Sequence, residues 1–191
     1  MIRLCCIVLL CTALLLGGCG LFSTRPAETP DTGRHTWTTP VNPQDVLTNM
    51  RSALFEHDQN NYLLSFDPDH FQFVADPVTV ASFPAMGHWD YEAESHHATQ
   101  LFNPGTLPAD SIIIVVFSSL VTPQPLGDSA EVIARYDLTA GVALTNVPHH
   151  VTGTADFWFR KGRANYWQIY RWQDTRTQDA ATWSDFKSQL P

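Results

Sequence analysis

Two stretches in the second half of the chain alternate apolar and polar residues with a period of two, which commits them to half-buried β-strands. In Glu131–Ala140, Val132, Ala134, Tyr136 and Leu138 share one face, and Glu131, Arg135, Asp137 and Thr139 share the other. In Val151–Lys161 the inward set is Val151, Ala155, Phe157 and Phe159. Upstream, Ser111–Leu120 (SIIIVVFSSL) is β-branched and apolar on both faces, the pattern of a strand covered on both sides. Downstream, Gly162-Arg163-Ala164-Asn165 signals a turn into a last strand, Tyr166–Trp172. Four consecutive strands of this kind read as one antiparallel sheet.

The first half carries helix signals. Asn42-Pro43-Gln44-Asp45 offers an N-cap, proline at the first helical position and an acid against the helix dipole. Val46, Leu47, Met50, Ala53 and Leu54 then repeat at helical spacing, predicting a helix to about His57 with a break at Asn60-Asn61. Phe71–Val74 reads as a short strand limited by Pro77, and Glu92–Phe102 as a second helix after a loop containing Pro84, Gly87 and Trp89. The class is therefore α+β. An apolar fraction of 44% with 12% aromatics is enough to build one dense core.

All four cysteines lie at or before Cys19, so the folded part has neither disulfide nor thiolate chemistry. Met1-Ile2-Arg3 followed by the apolar run Leu4–Leu16 has the form of a signal peptide, and the run is too short for comfortable spanning of a bilayer. Leu16-Gly17-Gly18-Cys19 resembles the lipobox of bacterial lipoproteins. That resemblance implies a signal peptide at 1–18, cleavage before Cys19 and acylation of its thiol, with several chains giving stable anchoring. In the lipoproteins it resembles, aspartate after the cysteine favours inner-membrane retention, so the resemblance with Gly20 here implies the periplasmic face of an outer membrane in a Gram-negative cell. Residues 19–40 (from Phe22, FSTRPAETPDTGRHTWTTP) then read as a tether, and 41–191 as the domain. A net charge of -8, with basic residues scattered apart from Arg160, Lys161 and Arg163, argues against nucleic acid. That trio reads as a solvated turn.

The opening helix running into Tyr62, then Phe66-Asp67-Pro68-Asp69-His70-Phe71-Gln72-Phe73, and the closing Trp167-Gln168-Ile169 and Arg171-Trp172-Gln173-Asp174 with Trp183 and Lys187, resemble the nuclear transport factor 2-like superfamily. The resemblance implies a strongly curved antiparallel sheet wrapped around a long helix to form a cone. Its enzymes place an acid, a base or a Tyr-Asp pair inside that cone. Here the inward strand positions supply Tyr136 as the one polar tip, and Tyr136, Phe157, Phe159 and Trp167 are the expected cavity lining.

Asp67, Asp69 and His70 cluster closely enough for acid-base work, although the same order makes a turn. Glu92 and His96 share a helix face, and with His88, His97, His149 and His150 they still lack a zinc-binding spacing. No metal and no cofactor is expected. Trp158, Tyr166, Tyr170 and Trp172 fall opposite Phe157, Phe159 and Trp167 by simple alternation, so a second apolar face requires a cover, either Trp183 and Phe186 or a second copy of the domain. The expected function is a non-catalytic, membrane-anchored envelope lipoprotein whose cone binds a small apolar ligand or an envelope protein. The alternative is an isomerase- or hydrolase-type enzyme using Asp67, Asp69 or His70. Expected partners are the membrane through Cys19, that ligand or protein, and a homodimer mate across the sheet.

Overall fold

The computed structural model describes residues 36–121, 127–162 and 165–190, without the side chains of Ser119 and Leu120. The signal peptide, Cys19, the tether as far as His35, and Arg163 lie outside the described residues. Helix α1 spans Pro43–Glu56 and starts on a capping box, in which Asn42 accepts from the Asp45 N–H and Asp45 accepts from the Asn42 N–H. Its end at Glu56 matches the expected run to about His57, but the break follows at once instead of at Asn60-Asn61. His57 adopts a left-handed conformation (φ 57°) as C-cap, and Asp58 then caps α2, Gln59–Leu64, which contains Asn60 and Asn61. The break is thus set by local capping rather than by the asparagine pair. Thr36–Pro40, assigned by sequence to the tether, is bonded to the domain: Asn49 bridges the Thr38 N–H and carbonyl, and the Pro40 carbonyl accepts from the Trp167 N–H.

Strand β1 is Gln72–Val74. Pro77 does more than limit it, because Pro77 also opens a short helix α3, Pro77–Ser82, capped by Asp76. A 3-10 turn at Pro84–Gly87 leads into β2, Trp89–Asp90, and α4, Tyr91–Leu101. Strands β3 (Ile113–Val121), β4 (Ser129–Ala140), β5 (His150–Lys161) and β6 (Trp167–Thr175) form the expected antiparallel meander, and α5, Trp183–Ser188, follows. The six-stranded order is β2-β1-β6-β5-β4-β3, with β1 parallel to β6. The curved open sheet encloses a core in which Phe66, Phe73, Phe157, Phe159, Trp172 and Trp183 are fully buried. No helix among the described residues is long and apolar enough to cross a membrane.

Register corrects the reading of a second apolar face. Trp158 pairs with Arg171 and Phe159 with Ile169, which leaves Tyr170 as an extra residue in β6. Such a bulge reverses the parity of everything beyond it. Trp172 therefore turns inward, directly opposite Phe157, and the outer face carries Thr152, Thr154, Asp156 and Arg160 beside Trp158. The Trp183–Phe186 segment accordingly packs on the concave side with Tyr136 and Trp172, not over the outer face.

Candidate functional site

The bulge also brings Asp174 inward, a residue that strict alternation from Trp167 puts outside. The Tyr136 hydroxyl donates to Asp174 Oδ1 at 2.7 Å and accepts from the Trp183 N–H at 2.8 Å. The other Asp174 oxygen accepts from the Ser184 N–H at 2.7 Å and from its hydroxyl at 2.5 Å. Gly153 makes room for this pair, since a Cβ there would stand 2.5 Å from the Tyr136 oxygen. Burial, then the Asp174 charge, pushes the Tyr136 phenol far above its ordinary value, and burial raises Asp174. A Tyr-Asp pair does sit inside the cone, but the first turn of α5 saturates it. The sequence signal for the parity change was present in Arg171 and Gln173, polar residues at positions that unbroken alternation sends inward.

The other interior pair is ionic. Lys187 on α5 and Glu94 on α4 are both fully buried, with Nζ 2.6 Å from each carboxylate oxygen. Tyr62 donates to one of these oxygens at 2.6 Å, and the Trp89 indole donates to the other at 2.7 Å. The ammonium also lies 5.1–5.2 Å from the ring centres of Phe73, Trp89 and Trp172. Burial lowers the Lys187 pKa, opposed by Glu94. His97 lies beside them, its ring 5.7 Å from Trp89 and 6.3 Å from Phe186, with neither nitrogen hydrogen-bonded among the described residues. Burial, then the Lys187 charge, holds it well below the ordinary histidine value.

Of the expected cavity lining, Tyr136 and Phe157 face rings rather than open space: Trp183 is 5.4 Å from Tyr136, and Trp172 is 5.2 Å from Phe157. Phe159 is fully buried against Phe157, and the Trp167 indole donates to the Val41 carbonyl at 3.1 Å. Around Tyr136, Phe157 and Trp172 the interior is filled, with Trp183 of the C-terminal helix packed among them.

Asp67, Asp69 and His70 do converge, each offering a ligand atom within 4.8 Å of the others. Asp67 and Asp69, but not His70, border a groove of about 520 Å³ that also touches Tyr91, Arg160, Tyr166 and Gln168. Arg160, expected in a solvated turn, bonds both Asp67 and His70 Nδ1. Burial alone would raise Asp67, but the Asp69 N–H, Arg160 and His70 together hold it below its ordinary value. A carboxylate so stabilised is a weak base, and the guanidinium already supplies the positive charge a metal would bring. Of the histidines read as a solvated helix face, His88 and His96 are exposed, as is Glu92, but His97 is buried; His150 begins β5 and contacts Asp137 at 3.1 Å.

A curved six-stranded sheet wrapped over α1 has the nuclear transport factor 2-like, cystatin-like fold. Solved structures with this likeness include a conserved protein from Planctomyces limnophilus (TM-score 0.54, 14% identity, 69% of this chain and 91% of that one). A nuclear transport factor 2-like protein of unknown function from Shewanella oneidensis (TM-score 0.50, 14% identity, 69% and 94%) is similar as well. So is a ketosteroid isomerase-like protein from Erwinia carotovora (TM-score 0.50, 14% identity, 71% and 93%). No family model matches the sequence, and no curated protein does. At these identities the likeness fixes the fold and leaves function to the site.

Proposed function

We propose that the protein is an envelope lipoprotein, held on a membrane by acyl chains on Cys19, whose cone-shaped domain recognises a partner without performing chemistry in its interior. The observation that carries this reading is the closure of both interior polar pairs by α5. Tyr136-Asp174 is bonded to Trp183 and Ser184, and Glu94 is bonded to Lys187, so neither pair retains a free face for a substrate. Recognition then falls to the surface. The competing reading, an isomerase- or hydrolase-type enzyme using Asp67, Asp69 or His70, draws on their convergence beside the groove. The ion pair with Arg160 counts against a base there.

The anchor is tested by feeding cells a fatty-acid analogue and following the label. Wild-type chain should carry it in the membrane fraction, and Cys19→Ser should accumulate as unlabelled, uncleaved precursor. Undiminished labelling of the Ser variant would remove the lipoprotein reading.

A further inference from the structure

Strand β3 is the last in the sheet order, and among the described residues no strand pairs with its outer edge. The Gly141 N–H donates to the Ile112 carbonyl at 2.9 Å, and the register pairs Ile113 with Ala140. In an antiparallel ladder this directs the backbone groups of Ile112, Ile114 and Val116 toward β4, and those of Ile113, Val115 and Phe117 away from it. The usual guards of an open edge, lysine and proline, are missing from Ile113–Val121. Ile114 and Val116 nevertheless leave 44% and 49% of their surface in solvent, and Phe55 on α1 leaves 50%.

Beside this edge, α1 and the sheet border two hollows, open to solvent, of about 270 and 260 Å³. The first is walled by Phe55, Ile113 and Val115, the second by Leu47, Phe117 and Val132, and both touch Thr48 and Arg51. The Arg51 side chain has no ionic or hydrogen-bond partner among the described residues. A strand laid antiparallel on β3 would direct the residues opposite Ile113, Val115 and Phe117 to the same side as those side chains, into the hollows. Successive side chains on that side would be two residues apart, about 6.7 Å, and the first and third about 13 Å apart.

We infer that the β3 edge with the α1 cleft is a docking site for an extended segment of a partner protein. The segment reads apolar-x-acidic-x-apolar, its outer two side chains filling the hollows and its central carboxylate meeting Arg51. This deepens the partner-binding reading above and rests on it. Backbone pairing supplies affinity in such strand addition, and the alternate pockets supply specificity. A second copy of this chain is the poorer occupant, because Ser111–Gly127 contains no charged residue and offers Arg51 no carboxylate.

The probe is a fluorescein-labelled peptide in which valine, glutamate and valine alternate with threonine, titrated against the mature chain by anisotropy. Saturable binding is expected. Methylating the peptide nitrogens that face β3 should weaken it at least tenfold, as should Arg51→Glu, and exchanging the peptide's glutamate for lysine should restore binding to Arg51→Glu. Arg51→Glu should melt within about 2 °C of wild type, since Arg51 is exposed. Equal binding of the methylated peptide, or no saturable binding, overturns the inference, as does a dimer in light scattering that Ile114→Asp dissociates. A photo-crosslinker at Ile114 and another at Asp69, used in cells, separate the two levels. A crosslink from Asp69 alone moves recognition to the other groove and overturns the β3 site. Silence from both tells against partner binding itself.

Discussion

The cone interior and the open edge of β3 use the same kinds of group to opposite effect. Inside, Tyr136, Asp174, Glu94 and Lys187 have their bonding capacity met by the chain's own helix α5. At the edge, the backbone of Ile113, Val115 and Phe117 and the side chain of Arg51 face outward with nothing paired to them among the described residues. A polar group of a catalytic type is thus a structural element once its neighbours complete its hydrogen bonds. An apolar strand becomes a recognition element when its last ladder is left open. What differs between the two regions is which groups the fold leaves unfinished.

The sharpest way to break the interior half of this comparison is to remove one member of the ionic pair. Lys187→Ala should destabilise the domain by about 3–5 kcal/mol, because it strands the Glu94 carboxylate without its cation. The joint change Glu94→Gln with Lys187→Met should recover part of that loss, since it removes both charges and keeps an amide oxygen to accept from Tyr62 or Trp89. Urea melts of the single and double variants decide the point. A single variant within about 1 kcal/mol of wild type would show that the pair is not closed to water.

Tyr136→Phe should cost less, about 1–3 kcal/mol, as the Trp183 N–H loses its acceptor and Asp174 loses one donor. The variant should keep any partner binding unchanged once corrected for the folded fraction. Loss of binding without loss of stability would instead return Tyr136 to a functional role.

The smallest effect is one of pH. His97 is neutral in the folded state with its pKa depressed by burial and by Lys187, and His96 adds to the repulsion while Glu94 faces the same lysine. The unfolded chain binds a proton near the ordinary histidine value, about 6.5, whereas the folded chain does so only at lower pH. The contribution is therefore complete above that value and is lost progressively as pH falls below it, toward the folded pKa. His97→Phe, which keeps the ring contacts to Trp89 and Phe186, should flatten the fall in melting temperature between about pH 6.5 and 5. An unchanged slope would mean that His97 is not neutral in the fold.

What the sequence determined by itself follows from local chemistry. The alternation at Val132–Leu138 and Val151–Phe159 set two strands and their inward faces, and the Asn42-Pro43-Asp45 signal set the start of α1. Both depend on residues within a few positions of one another, where period and capping act. The remainder was decided by tertiary structure. A single extra residue at Tyr170 turned Trp172 and Asp174 inward, and the bonds that closed the cone came from Trp183, Ser184 and Lys187, in a helix far along the chain from Tyr136 and Glu94. Arg160 likewise found Asp67 across 93 positions. Periodicity cannot locate a bulge whose register is fixed by the neighbouring strand, and composition cannot say which buried polar groups will meet. Those outcomes depend on which distant segments pack together, and packing is a property of the whole chain.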